Sequence, residues 1–218
     1  MRRWWAFAPF AVVGLVHLTI LVLGIDAWST PTKALLMPAL LTGFLVALPT
    51  RRTELALVGT IAIVLSWAGD LLLSTPGNVG FLVGLGSFML AHATYIVLFR
   101  RALRTRRMPL LALIFAAWWV ALVFVLAPHL GVLLVPVAFY GVVLGLSAAT
   151  ALGSYRVVAI GALLFLLSDT ILAFKMFWPD FSMWQADFVI MVGYLAGQGL
   201  IAVGAVRHAE GLQRAVVR

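Results

Sequence analysis

Two aspartates stand inside stretches that are otherwise apolar: Asp70 in "LSWAGDLLLS" and Asp169 in "LFLLSDTILA". An ionisable carboxyl within a membrane-length apolar segment is costly unless it faces a protein interior or a water-filled cavity, which makes each a functional-site candidate. Two such acids can divide the work of proton donor and charge stabiliser, carry protons or sodium in a transporter, or serve as structural partners of Lys33 or a tyrosine. The other acids, Asp26, Glu54, Asp180, Asp187 and Glu210, fall at segment ends or in loops and need no special account.

Further polar groups keep company with the pair. Phe81, Gly84, Phe88, His92 and Tyr95 recur at three- and four-residue spacing, which puts both polar rings on one face of a helix. Counting along the helical rise brings Tyr140, Tyr194 and Gln198 to comparable depth, with Lys33 at the outer mouth, so that these groups can line one pocket. Ser66 lies one turn before Asp70 on its face, whereas Ser168, adjacent to Asp169, points elsewhere on a regular helix. His17 reads as a packing residue, and the many glycines as points of close helix contact.

The elements that position these groups follow from composition. Of 218 residues 64% are hydrophobic and 10% charged, and the mean hydropathy is +1.14. Soluble domains are near half apolar and about a quarter charged, so an integral membrane protein is expected. Apolar stretches fall at about 4–24, 32–49, 54–74, 80–99, 109–127, 131–151, 156–176 and 185–206, each long enough to span a bilayer. The expectation is an all-α bundle of eight transmembrane helices forming a single domain over 1–218. The first stretch begins like a signal peptide but runs the length of a spanning helix without a clear cleavage site, and reads as retained.

The net charge of +8 is carried in short clusters between apolar runs, not along one face, which argues for topology over nucleic-acid binding. With both termini cytoplasmic, Arg2, Arg3, Arg51, Arg52, Arg100, Arg101, Arg104, Arg106, Arg107, Arg156, Arg207, Arg214 and Arg218 fall inside, leaving Lys33 and Lys175 outside. Trp4, Trp5, Trp28, Trp178 and Trp184 fall near the interfaces, where amphipathic rings collect. Asp169 and Tyr194 repeat the spacing of Asp70 and Tyr95, a faint sign of a parallel repeat of four helices.

Several chemistries are disfavoured. The absence of cysteine removes disulfides and thiolate chemistry. A zinc hydrolase ordinarily needs three protein ligands, and of His17, His92, His129 and His208 the last two lie near opposite surfaces. Neither Ser66 nor Ser168 sits in a nucleophile-elbow motif with an evident base.

The ordered set "TKALLMPAL", "SWAGDLLL", "FLVGLGSFMLAHATYIVLF", "PVAFYGVVLGL", "GALLFLLSDTILA" and "GYLAGQGLI" resembles the YhhN-like family of integral membrane proteins, whose characterised animal members are lysoplasmalogenases. The resemblance covers nearly the whole chain. It implies an eight-helix hydrolase of the inner membrane of a bacterium, acting on a lysophospholipid and cleaving a vinyl ether bond to a fatty aldehyde and a glycerophospho-alcohol. The family's paired aspartates correspond to Asp70 and Asp169; His92, Lys33, Tyr95, Tyr140, Ser168, Tyr194 and Gln198 also match its motifs.

The chemistry suits two carboxyls. A vinyl ether is hydrolysed by protonating its outer alkene carbon, stabilising the oxocarbenium ion that results, and adding water before the hemiacetal collapses. One protonated carboxyl can deliver the proton while an ionised partner stabilises charge and guides water, as in glycosidases. No metal or cofactor is required, and Asp169, the deeper acid, is the favoured donor. His92 is expected to set protonation or position water, the tyrosines to hold the ether oxygen or a glycerol hydroxyl, and Lys33 to meet the lipid phosphate. The alternatives are a proton-coupled transporter and a non-catalytic binder of an amphiphile.

Overall fold

The computed structural model describes residues 3–216; Arg2 and Arg218 lie outside them. The described chain is helical, with eight α-helices: α1 (Ala8–Leu23), α2 (Asp26–Ala47), α3 (Glu54–Leu73), α4 (Asn78–Val97), α5 (Ile114–Leu130), α6 (Leu134–Ala151), α7 (Arg156–Phe177) and α8 (Ala186–Val216). Seven stretches are long and apolar enough to cross a membrane; one of them, Leu110–Ala151, holds 42 residues and contains both α5 and α6. The chain reverses there at Gly131, at φ 50°, and α5 lies back on α6: the Trp119 indole N–H donates to the Ala138 carbonyl at 2.8 Å, and Phe115 clusters with Leu144 and Ala148.

The helix ends are set by local chemistry. The Thr53 hydroxyl accepts from the Ala56 amide at 3.1 Å and starts α3. Gly24, at φ 67°, ends α1 in the left-handed conformation that glycine adopts without strain. Two boundaries depart from the expectation. α2 begins at Asp26, not at 32, and carries Pro31 and Pro38 within it. Pro38 has no N–H for the Ala34 carbonyl, and the Trp67 indole of α3 donates to that carbonyl at 2.8 Å. α8 continues to Val216, ten residues past the expected 206, as a polar extension beyond the apolar segment.

Apolar side chains cover both the interior and the outside. Phe44, Leu36, Met37, Leu40, Phe99 and Phe165 form a dry core, while Leu110, Phe124 and Val132 are 86%, 80% and 92% exposed. Glycines let backbones meet: a β-carbon on Gly161 would stand 2.8 Å from the Gly197 carbonyl oxygen, and one on Gly197 would stand 2.8 Å from that of Gly161, which fixes the α7–α8 approach.

Charge is segregated by end. Arg3 donates to the Val46 carbonyl, Arg101 pairs with Glu54 at 3.0 Å, Arg106 donates to the Leu152 carbonyl, and Arg207 lies over the Trp4 ring, so these cations share one end of the bundle. At the other end Lys33 and Lys175 meet Asp70 and Asp187.

Candidate functional site: an acid pair in an apolar pocket

A pocket of about 140 Å³ opens toward the end where Asp187 and Met176 are exposed. Six helices converge on it and both aspartates line it: Asp70 from α3 and Asp169 from α7, joined by Lys33, Tyr140, Ser168 and Tyr194. Apart from Asp187 the remaining wall is apolar, with Leu73, Phe81, Leu85, Val137 and Leu172 among its side chains, so the carboxyls face a largely hydrocarbon enclosure. Engineered apolar cavities of about 150 Å³ admit a benzene-sized group, so this space fits the reactive segment of an amphiphile and leaves a long chain outside.

Each acid has a tyrosine and a nitrogen partner. At Asp70 the Tyr194 hydroxyl donates to Oδ2 at 2.6 Å and Lys33 Nζ stands 3.4 Å from Oδ1. At Asp169 the Tyr140 hydroxyl donates to Oδ2, and His92 Nε2 lies 3.8 Å from the same oxygen. The two environments differ in charge: Lys33 places a cation against Asp70, whereas Asp169 has an imidazole beyond hydrogen-bond reach.

The expected site residues are therefore sorted by depth. Asp70, Asp169, Lys33, Tyr140, Ser168 and Tyr194 line the pocket, and the Ser168 hydroxyl is occupied in donating to the Ile190 carbonyl at 2.8 Å. Phe88 and Tyr194 of the lining and Phe165 behind them meet edge to face. His92, Tyr95, Gln198 and Ser66 are absent from the lining. His92 packs on Phe165 with ring centroids 4.6 Å apart and reaches Asp169 from below. Tyr95 donates to Gln198 Oε1, and Ser66 donates back to the Ala62 carbonyl at 2.9 Å. Tyr95, Gln198 and Ser66, expected among the substrate-binding residues, thus lie off the pocket wall. The tyrosines hold protein acceptors where ether and glycerol oxygens were expected, and Lys33 turns onto Asp70 where a lipid phosphate was expected.

Two features were missed in the sequence. Asp187, read as a loop acid, lines the pocket and pairs with Lys175 at 2.5 Å; its place at the start of the helix that also carries Tyr194 was the available signal. His17, read as packing, bonds the Thr32 hydroxyl at 2.8 Å one residue from Lys33. Among the described residues no three acids or histidines are placed to hold a metal.

A family model described as the YhhN family matches residues 28–205. That range contains every residue lining the pocket. No curated protein and no solved structure matches the chain.

Proposed function

The chain belongs to the YhhN family, and from that membership and the pocket shared by Asp70 and Asp169 we propose that it is a membrane-embedded hydrolase cleaving the vinyl ether bond of lysoplasmalogen-like lipids. The reading takes the chain as a single domain of eight spans, both termini cytoplasmic, in a bacterial inner membrane. The observation that carries it is the presence of two carboxyls of unlike environment on one apolar pocket.

Asp70, faced by Lys33 Nζ and the Tyr194 hydroxyl, is assigned as the charge-stabilising partner. Asp169 is assigned as the acid. Tyr140 occupies its Oδ2, which leaves Oδ1 to carry the proton to the outer alkene carbon. The alkene electrons form the new C–H bond while the ether oxygen shares the positive charge, and Asp70 stabilises that cation. Water then adds to the cationic carbon and gives its proton back to Asp169. Collapse of the hemiacetal releases the aldehyde and the glycerol hydroxyl. His92, beneath Asp169, acts through that carboxyl as a positioning residue.

The test is aldehyde release from a lysoplasmalogen by purified protein in detergent, with no gradient present. Asp70→Asn and Asp169→Asn are each expected to lower turnover by about 100-fold or more with the fold retained, the usual range for a general acid or charge-stabilising group. Full turnover by both variants rejects the paired-acid mechanism. Gradient-dependent uptake without product would favour a carrier, the reading that a repeated architecture around a central acid pair also suits.

A further inference from the structure

At the end opposite the acid pocket, a cleft of about 220 Å³ is lined by Arg100, Arg104 and Arg106 together with Phe99, Met108, Leu146, Thr150 and Gly153. Its construction is specific. α4 runs into a π-helical turn, Leu98–Ala102, that carries Arg100, and the chain beyond it is clamped to the α6–α7 turn: the Thr105 and Arg106 amides donate to the Gly153 carbonyl at 3.0 and 3.1 Å. Arg106 Nε donates to the Leu152 carbonyl at 2.9 Å, so its position is fixed while its terminal nitrogens stay free to donate. Among the described residues none of these three arginines has a carboxylate within 4.0 Å, whereas their neighbour Arg101 is paired with Glu54.

Three like charges held around one concavity repel unless an anion enters. The wall they face is mixed: Met108 is 52% and Leu146 47% exposed, and Leu110 and Leu111 continue the apolar surface outward. A free anion would need no such wall. An anionic head with hydrocarbon attached would use both, its phosphate among the guanidiniums, which match phosphate oxygens bidentately, and its chains along α5 and α6. Ligand pockets that enclose a small molecule run to roughly 300–1,000 Å³, so this smaller cleft suits a headgroup whose chains remain outside.

We propose that this cleft is a binding site for the phosphate of an anionic phospholipid in the leaflet at the basic end. The site depends on the membrane-spanning reading and is independent of the hydrolase reading, since it shares no residue with the acid pocket.

Native mass spectrometry of the full chain, released from detergent containing dioleoylphosphatidylglycerol or dioleoylphosphatidylcholine, tests it without any turnover measurement. Phosphatidylglycerol is expected to be retained in preference to phosphatidylcholine. The combined Arg100→Gln, Arg104→Gln, Arg106→Gln variant should lower its retention by about tenfold or more, while Arg51→Gln with Arg52→Gln, at the same end and outside the cleft, should not. Excess inorganic phosphate should leave the lipid bound. Equal loss in both variants, equal retention of the two lipids, or displacement by inorganic phosphate would each overturn the proposal. If the triple variant loses its cooperative melting transition, the single Arg104→Gln variant is read by the same criteria.

Discussion

Asp70 and Asp169 were legible in the sequence because an acid within an apolar run has few innocent explanations; the pairing of partners was not. Which tyrosine meets which acid depends on helix rotation, and the Tyr194 hydroxyl donates to Asp70 across the bundle. Tyr140 takes Asp169, and Tyr95, the counterpart of Tyr194, turns to Gln198. Tyr194→Phe and Tyr140→Phe each remove a single hydroxyl from a carboxyl and leave the ring packing in place. Loss of a hydrogen bond to a buried carboxyl costs about 1–3 kcal/mol, so the thermal midpoint should fall by several degrees in each variant and aldehyde release by about tenfold or more. The Lys33–Asp70 contact makes a separate prediction, because the carboxyl is 4% exposed and loses its cation in Lys33→Met. Stability of Lys33→Met, Asp70→Asn and the double variant, compared in a thermodynamic cycle, should give a coupling of about 1–3 kcal/mol; additive effects would mean that the pair is not formed.

Helix existence followed from hydropathy, whereas two ends did not, because the first turn of α2 and the last turns of α8 are polar and give no hydropathy signal. The polar run "DAWSTPTK" argued against helix before residue 32, and nothing local announces that Trp67 of α3 will satisfy the carbonyl that Pro38 abandons. Glycine was legible as a marker of close contact, but the sequence does not say which glycines make one. Gly161 and Gly197 face each other's carbonyl oxygens at 2.8 Å from an added β-carbon, while a β-carbon on Gly86 meets nothing within 4 Å. Gly161→Ala or Gly197→Ala must therefore separate α7 from α8. Overpacking of this kind costs about 1–3 kcal/mol and should lower the melting midpoint. It should also depress turnover, since α7 carries Asp169 and α8 carries Tyr194. Gly86→Ala should be neutral or slightly stabilising, because alanine is the better helix former. An equal effect at all three positions would mean that helix propensity, not backbone approach, governs these glycines.

Across the whole molecule, consecutive helices pack as pairs, the arrangement that the faint repeat in the sequence would require. α3 packs on α4 as α7 packs on α8, α1 lies on α2 as α5 lies on α6, and α1 and α5 alone contribute nothing to the acid pocket. Each half supplies one aspartate, but the halves are not packed alike: among the described residues α1 lies against α8 with no matching contact of α5 on α4, and α5 lies against α7 with no matching contact of α1 on α3. A parallel repeat requires both halves to enter from the same side, which makes the Leu110–Ala151 stretch decisive. At 1.5 Å per residue its 42 residues would extend about 60 Å as one helix, twice the hydrocarbon thickness of roughly 30 Å, and the fold-back at Gly131 divides it into two. Were it a single crossing, the α3–α4 and α7–α8 turns would face opposite compartments. The chain contains no cysteine, so introduced ones report uniquely. Asn78→Cys and Ser182→Cys, both at exposed positions in those turns, should react with an impermeant maleimide from outside intact cells. Gly211→Cys, exposed at the basic end, should react only after permeabilisation, as the excess of arginine at that end requires of the cytoplasmic side. Labelling of Asn78→Cys and Ser182→Cys from opposite sides would remove the parallel repeat and the eight-span topology together, while labelling of Gly211→Cys from outside would reverse the orientation and put the acid pocket on the cytoplasmic side.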